Sequence, residues 1–180
     1  MRRNCIIFLL SIIITLTALG FSGVFAETPT GECAEYLRIH IRADSNAQDA
    51  QAVKYRVRDD VVEYLTPLVA NYTDKQAAIE GVAAHLDEIA AVATAALQKN
   101  GYAYSATAEL TVEEFPTRVY GDCTLPAGKY SALVLKLGSG AGDNWWCVVY
   151  PPLCFSTAQN VIYKSKIAEI IADFKNRNCD

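Results

Sequence analysis

The chain has 180 residues, with 16 Lys+Arg against 20 Asp+Glu, a formal net charge of −4, and 52% hydrophobic residues. That balance excludes the basic footprint of a nucleic-acid-binding domain, so no nucleic acid is expected as a partner. Two histidines and six cysteines without a Cys-x-x-Cys pair exclude a zinc site of ordinary spacing, and neither a metal nor a cofactor is expected.

Met1-Arg2-Arg3-Asn4 precedes an apolar run over residues 5–19, and Val24-Phe25-Ala26 precedes Glu27. This is the pattern of a signal peptide over residues 1–26, with cleavage after Ala26. The alternative is a retained anchor, since residues 5–26 are long enough to cross a bilayer of about 30 Å. Gly20 and Gly23, helix breakers just before the cleavage site, favour cleavage. Losing Arg2 and Arg3 takes Lys+Arg from 16 to 14 against 20 acids, a net −6. Residues 27–35, with Pro29 and Gly31, are expected to form a flexible linker, and residues 36–180 a single domain. An exported chain with Cys33, Cys123, Cys147, Cys154 and Cys179 has an odd number, so one is left over. Cys147 and Cys154 are nearest in sequence, with Pro151-Pro152 to turn the chain between them, and are the disulfide candidate. Cys33 with Cys179 is a second option if the termini meet.

Residues 36–42 alternate, with Leu37, Ile39 and Ile41 on one face and Arg38, His40 and Arg42 on the other, which predicts a half-buried strand with a wet basic face. Ser45 and Gln48 read as a capping box for a helix from about residue 46 to near Pro67, striped by Ala50, Val53, Val57, Val61 and Leu65. Thr73 and Gln76 repeat the device for a second helix carrying Ile79, Val82, Leu86, Ile89, Ala93 and Ala96, with Gly101 as its stop. The period then becomes two over residues 102–113, a long strand with one wet face. Further strands are predicted over 117–120, 130–137 and 145–150, and a last helix over about 158–174. Gly138-Ser139-Gly140-Ala141-Gly142 lacks the Gly-Lys-Ser/Thr ending of a phosphate loop and reads as a flexible turn. This order predicts an α+β fold, helices packed on one face of a mainly antiparallel sheet.

The densest segment runs from Asn144 through Trp145-Trp146-Cys147 to Pro151-Pro152-Leu153-Cys154-Phe155 and holds both tryptophans. Adjacent tryptophans on a strand point to opposite faces, so one belongs under the helices and the other is offered to a partner. His40 and Asp44 with Cys147 or Cys154 suggest a thiol nucleophile, but a strand is a poor place for a papain-type cysteine, which opens a helix. His85 reads as a helix-face residue. Lys54 and Arg58, four apart, predict a basic stripe or a solvated helix surface, and Arg38 with Arg42 are the sharper pair.

Asn144-Trp145-Trp146-Cys147 spaced from Pro151-Pro152-Leu153-Cys154-Phe155 resembles the hallmark of the stage II sporulation protein R family. Residues 37–45, Lys54-Tyr55-Arg56-Val57-Arg58-Asp59, Phe115-Pro116 and Pro126-Ala127-Gly128-Lys129-Tyr130 extend the likeness over about residues 36–155. Asp44 departs from it, since the family more often has Asn before the serine. The resemblance implies a secreted signal of endospore formation, made in the forespore and exported into the space between forespore and mother-cell membranes. There it triggers a membrane-embedded aspartic protease of the mother cell, which cleaves a pro-sigma factor. A ligand rather than an enzyme is implied, with Asn144, Trp145, Trp146, Pro151, Pro152, Phe155, Arg38, His40 and Arg42 as partner-binding residues. The rivals are a cell-envelope cysteine enzyme, a peptidoglycan hydrolase or transpeptidase using Cys147 or Cys154 with His40, and a plain structural envelope component.

Overall fold

The computed structural model describes residues 35–121, 123–155 and 161–178. The expected leader and most of the expected linker, with Cys5, Cys33 and Cys179, lie outside them. Among the described residues no helix is long and apolar enough to cross a membrane.

Among the described residues, six strands and four α-helices follow in the order β1 (Leu37–Arg42), α1 (Gln48–Val69), α2 (Lys75–Ala84), α3 (Leu86–Lys99), β2 (Ala106–Phe115), β3 (Arg118–Tyr120), β4 (Cys123–Leu125), β5 (Gly128–Leu137), β6 (Asn144–Tyr150) and α4 (Val161–Asn178). The main sheet has the order β2-β5-β1-β6, antiparallel except for the β1–β5 pair, while β3 and β4 form a separate hairpin. The α+β class is as expected. The strand β4 was not foreseen, because three residues carry too short a period to read.

Several helix ends differ from the sequence reading, each for a local reason. No side chain caps α1 at Ala47, because Asn46 Oδ1 accepts instead from Asp143 N (2.6 Å) and Ser45 O from Gln51 Nε2 (2.9 Å). The helix runs through Pro67, which has no N–H to give the Glu63 carbonyl, and ends two residues later at Val69. At α2 the cap is Asp74 rather than Thr73, its Oδ1 accepting from Ala77 N at 2.8 Å. The expected second helix is broken into α2 and α3 at His85. Its ring Nδ1 takes the Gly81 carbonyl (2.7 Å), the acceptor its own N–H would use in a continuous helix, and that N–H turns to Val82 O (3.1 Å).

The helices cover one face of the sheet. Leu37, Ile39 and Ile41 of β1, Leu133 and Leu135 of β5 and Val149 of β6 lie beneath Val53, Val57, Val61, Leu65, Val82, Ile89 and Leu97, all buried. Burying a side chain of this kind is worth about 1.5–3 kcal/mol, so this layer is the main source of stability.

The opposite face is where the expectation fails. Tyr36, Phe115, Tyr130, Ala132, Val134 and Val148 form a second core with Cys123 and Leu125 of the hairpin and Phe174 of α4. The helices are therefore not confined to one face. α4 gives Ile167 to the first core and Phe174 to the second. The β2–β5 ribbon also takes part. Arg42 lies opposite Lys136, and Lys136 opposite Thr107, six residues before Glu113 on β2. A flat ribbon would carry Glu113 about 20 Å further along at 3.3–3.4 Å per residue. Yet its carboxylate bonds Arg42, so the far end of the ribbon coils back over the sheet, in the sense strand twist allows.

Candidate functional site

The residues named from sequence converge where this second core meets solvent. Arg38, His40 and Arg42 alternate off one face of β1, but the face is not wet: Arg38 is 0% and His40 1% exposed, and only Arg42 reaches water. β1 is a central strand flanked by β5 and β6, and the coiled ribbon and hairpin close it. That corrects the reading of a solvated basic strand.

Arg38 is the deepest of the three. Its Nη2 donates to Tyr120 Oη (2.7 Å) and its Nε to Cys147 O (3.4 Å). Its guanidinium carbon lies 4.1 Å from the Phe115 ring centre and 4.8 Å from that of Tyr130, so aromatic faces take the place of a counter-ion. Burial lowers the Arg38 pKa from its ordinary value, opposed by Tyr120, and raises that of Tyr120, opposed by Arg38. Tyr120 Oη also donates to Trp146 O (3.3 Å), tying the β3–β4 hairpin to β6.

His40 sits one row further out. Nδ1 is 2.6 Å from Glu113 Oε2, Nε2 is 2.7 Å from Asn144 Oδ1, and the ring stacks on Trp146 with centres 3.6 Å apart and planes 18° from parallel. Glu113 bonds Arg42 through its other oxygen. Burial pushes His40 below the ordinary imidazole pKa, against the pull of Glu113 and Asn144, while Arg42 adds to the lowering.

Trp145 and Trp146 point to opposite faces, as strand geometry requires, and both are half-buried. Trp145 packs against the helix-side core with Arg58 over its ring at 5.6 Å. Trp146 stands against His40 and, edge-on, against Phe115 at 4.6 Å. Neither is wholly core, and neither is wholly free. Asn144 is exposed, whereas Pro151, Pro152 and Phe155 are buried. Cys147 and Cys154 lie with Cα atoms 6.3 Å apart, within the span of a disulfide.

The loop between β5 and β6 is docked rather than flexible. Asp44 Oδ1 accepts from Ser139 N (2.7 Å), Ser139 Oγ donates to Asp44 O (2.6 Å), and Gly142 N donates to Ala43 O (2.8 Å). Gly138 has φ +57, and a Cβ there would strike Asp44, so glycine is required twice over. Lys54 is no surface stripe: it is buried, its Nζ donating to Gln51 Oε1 (2.7 Å) and to Asp143 O (3.0 Å) at the end of this loop. Burial lowers its pKa, opposed by Asp143.

The arrangement argues against thiol chemistry. His40 pairs with Trp146 and Ile39 with Cys147, so the His40 and Cys147 side chains leave opposite faces of the sheet. Cys154 packs with Cys147 on the helix side. Among the described residues no group of three or more His, Cys, Asp or Glu could hold a metal ion.

Sequence reasoning missed Glu113, Phe115, Tyr120 and Tyr130, which complete the site. No periodic signal marks them, since the coil of the ribbon and the return of the hairpin bring them in.

The family model described as stage II sporulation protein R matches residues 33–160. The chain belongs to the stage II sporulation protein R family. Stage II sporulation protein R of Bacillus subtilis (strain 168) is 37% identical over 124 residues, covering 69% of this chain and 55% of that protein. The chain thus spans about half the length of that relative. No solved structure matches it. The matched residues of this sporulation family run from ahead of β1 past Phe155, so they include Arg38, His40, Glu113 and Trp146, while α4 lies beyond them. Asp44 supplies the oxygen that receives Ser139 N–H, a task an asparagine amide oxygen also performs.

Proposed function

We propose that this chain is an intercellular signal of endospore formation, exported into the space between forespore and mother-cell membranes, which triggers a membrane-embedded aspartic protease to process a pro-sigma factor. Membership of the stage II sporulation protein R family carries the reading. The basic and apolar start of the sequence supports export. The separation of His40 from both candidate cysteines by the thickness of the sheet favours a ligand over the cysteine-enzyme rival. We further propose that Cys147 and Cys154 are bonded after export, which their spacing permits.

Of the residues first named for partner contact, Asn144, Trp145, Trp146 and Arg42 reach the surface and carry the proposal. Arg38, His40, Pro151, Pro152 and Phe155 support that surface from beneath. Half-buried tryptophans and arginine set in a rigid frame are the side chains that dominate interface energies.

A reporter of pro-sigma cleavage, run in a sporulating strain with this gene deleted and then restored, tests the proposal. Cleavage is expected to stop on deletion and return on restoration, and undiminished cleavage in the deletion strain would refute the role.

A further inference from the structure

Both ring nitrogens of His40 face acceptor oxygens, Glu113 Oε2 at 2.6 Å and Asn144 Oδ1 at 2.7 Å. An imidazolium satisfies both, whereas a neutral ring has a single N–H to give. Glu113, a carboxylate already drawn in by Arg42, holds that one proton on Nδ1. Nε2 then becomes an acceptor, and the Asn144 amide must turn over to offer it Nδ2–H. Asn144 is exposed, so whichever amide atom does not face His40 faces outward, beside Trp146.

We propose that His40 is a proton-operated switch on the surface beside Trp146: as imidazolium it leaves the Asn144 NH2 group facing outward as a donor, and as neutral imidazole it leaves the Asn144 carbonyl oxygen outward as an acceptor. A partner that reads this position therefore meets opposite hydrogen-bond polarity in the two states. The switch is a property of the folded chain alone and goes beyond the signalling role, whatever partner the surface meets.

The charged and titratable groups around His40 are few. β2 contributes Glu113. β1 contributes Arg42, whose Nε lies 3.5 Å from Nδ1, and Arg38, occupied by Tyr120 of β3. β5 contributes Tyr130, beneath Phe115, and Lys136, engaged by Glu109 of β2. β6 presents only Asn144 and Trp146 to the ring. Burial and Arg42 oppose the second proton while Glu113 and Asn144 favour it, so the switching point lies below the ordinary imidazole value.

The test is a pH titration by nitrogen and proton NMR on the purified full chain. It has two histidines, so the His85→Gln variant assigns the spectrum. At neutral pH the His40 ring is expected as the Nδ1–H tautomer, and the Asn144 side-chain amide resonances should shift with the same midpoint as the ring. In Asn144→Asp, a nearly isosteric change at an exposed position, both ring nitrogens face carboxylates. The midpoint is then expected to move upward by about one pH unit or more. An Nε2–H tautomer at neutral pH, Asn144 resonances indifferent to the His40 midpoint, or an unmoved midpoint in Asn144→Asp would each overturn the switch.

Discussion

On the helix-covered face β1 presents Leu37, Ile39 and Ile41, and on the other, one residue along each time, Arg38, His40 and Arg42. Both sets are closed from water except Arg42. The first face is held by non-directional burial, which tolerates small shifts of position. The second is held by a guanidinium among rings, an imidazole between Glu113 and Asn144, and a tyrosine bridging hairpin to sheet, each of which works only at set distances. A central strand can thus be closed on both sides while only one side is apolar, with most buried polar atoms met by hydrogen bonds and Arg38 Nη1, which lacks such a partner, on a guanidinium set against the Phe115 and Tyr130 rings.

The faces should fail differently. Ile39→Ala, at the centre of the first face, is expected to cost about 2–5 kcal/mol in urea denaturation, with cavity and lost transfer energy adding. Glu113→Ala strips Arg42 and His40 of a shared acceptor and should cost about 1–3 kcal/mol, less than Ile39→Ala, because Arg42 can turn to water. If Glu113→Ala costs as much as Ile39→Ala, the second face is as much a foundation as the first.

How far the sequence foretold this differs by face. The period of the apolar residues located β1, α1 and the cores of α2 and α3, because burial of one helical stripe leaves a regular trace, as Val53, Val57 and Val61 illustrate. It also placed Trp145 and Trp146 on opposite faces. What could not be read was the cover on the second face. Alternation reports which residues share a side, but Arg38 and His40 look like solvated residues until Phe115, Tyr120 and Tyr130 arrive from positions 77, 82 and 92 residues beyond Arg38. Glu113 was read only as part of a wet strand face, since the curl of the β2–β5 ribbon has no signature in the period of β2.

A pH series sharpens the contrast. The folded His40 pKa lies below that of the unfolded chain, so on acidification the unfolded chain binds its proton first. The contribution of this group to stability is intact above the ordinary imidazole value of about 6.5 and declines as pH falls below it. His40→Gln is therefore expected to flatten the fall in melting temperature between neutral and mildly acid pH, and an equally steep fall in the variant would remove His40 from the account. The smallest effect belongs at the open end of the second face, where Glu109 meets Lys136 with both side chains well exposed. Glu109→Gln should change stability by no more than about 1 kcal/mol, and a larger loss would mean this end is closed as well.

The Arg38–His40 face is sealed, and histidine-selective acylation with diethyl pyrocarbonate, read by mass spectrometry on the native chain, tests this with a control built in. His85 is part-exposed at the α2–α3 break, while His40 is 1% exposed beneath Trp146. His85 is expected to be modified, and His40 protected until the chain unfolds. Modification of His40 as fast as His85 in the folded protein would contradict it.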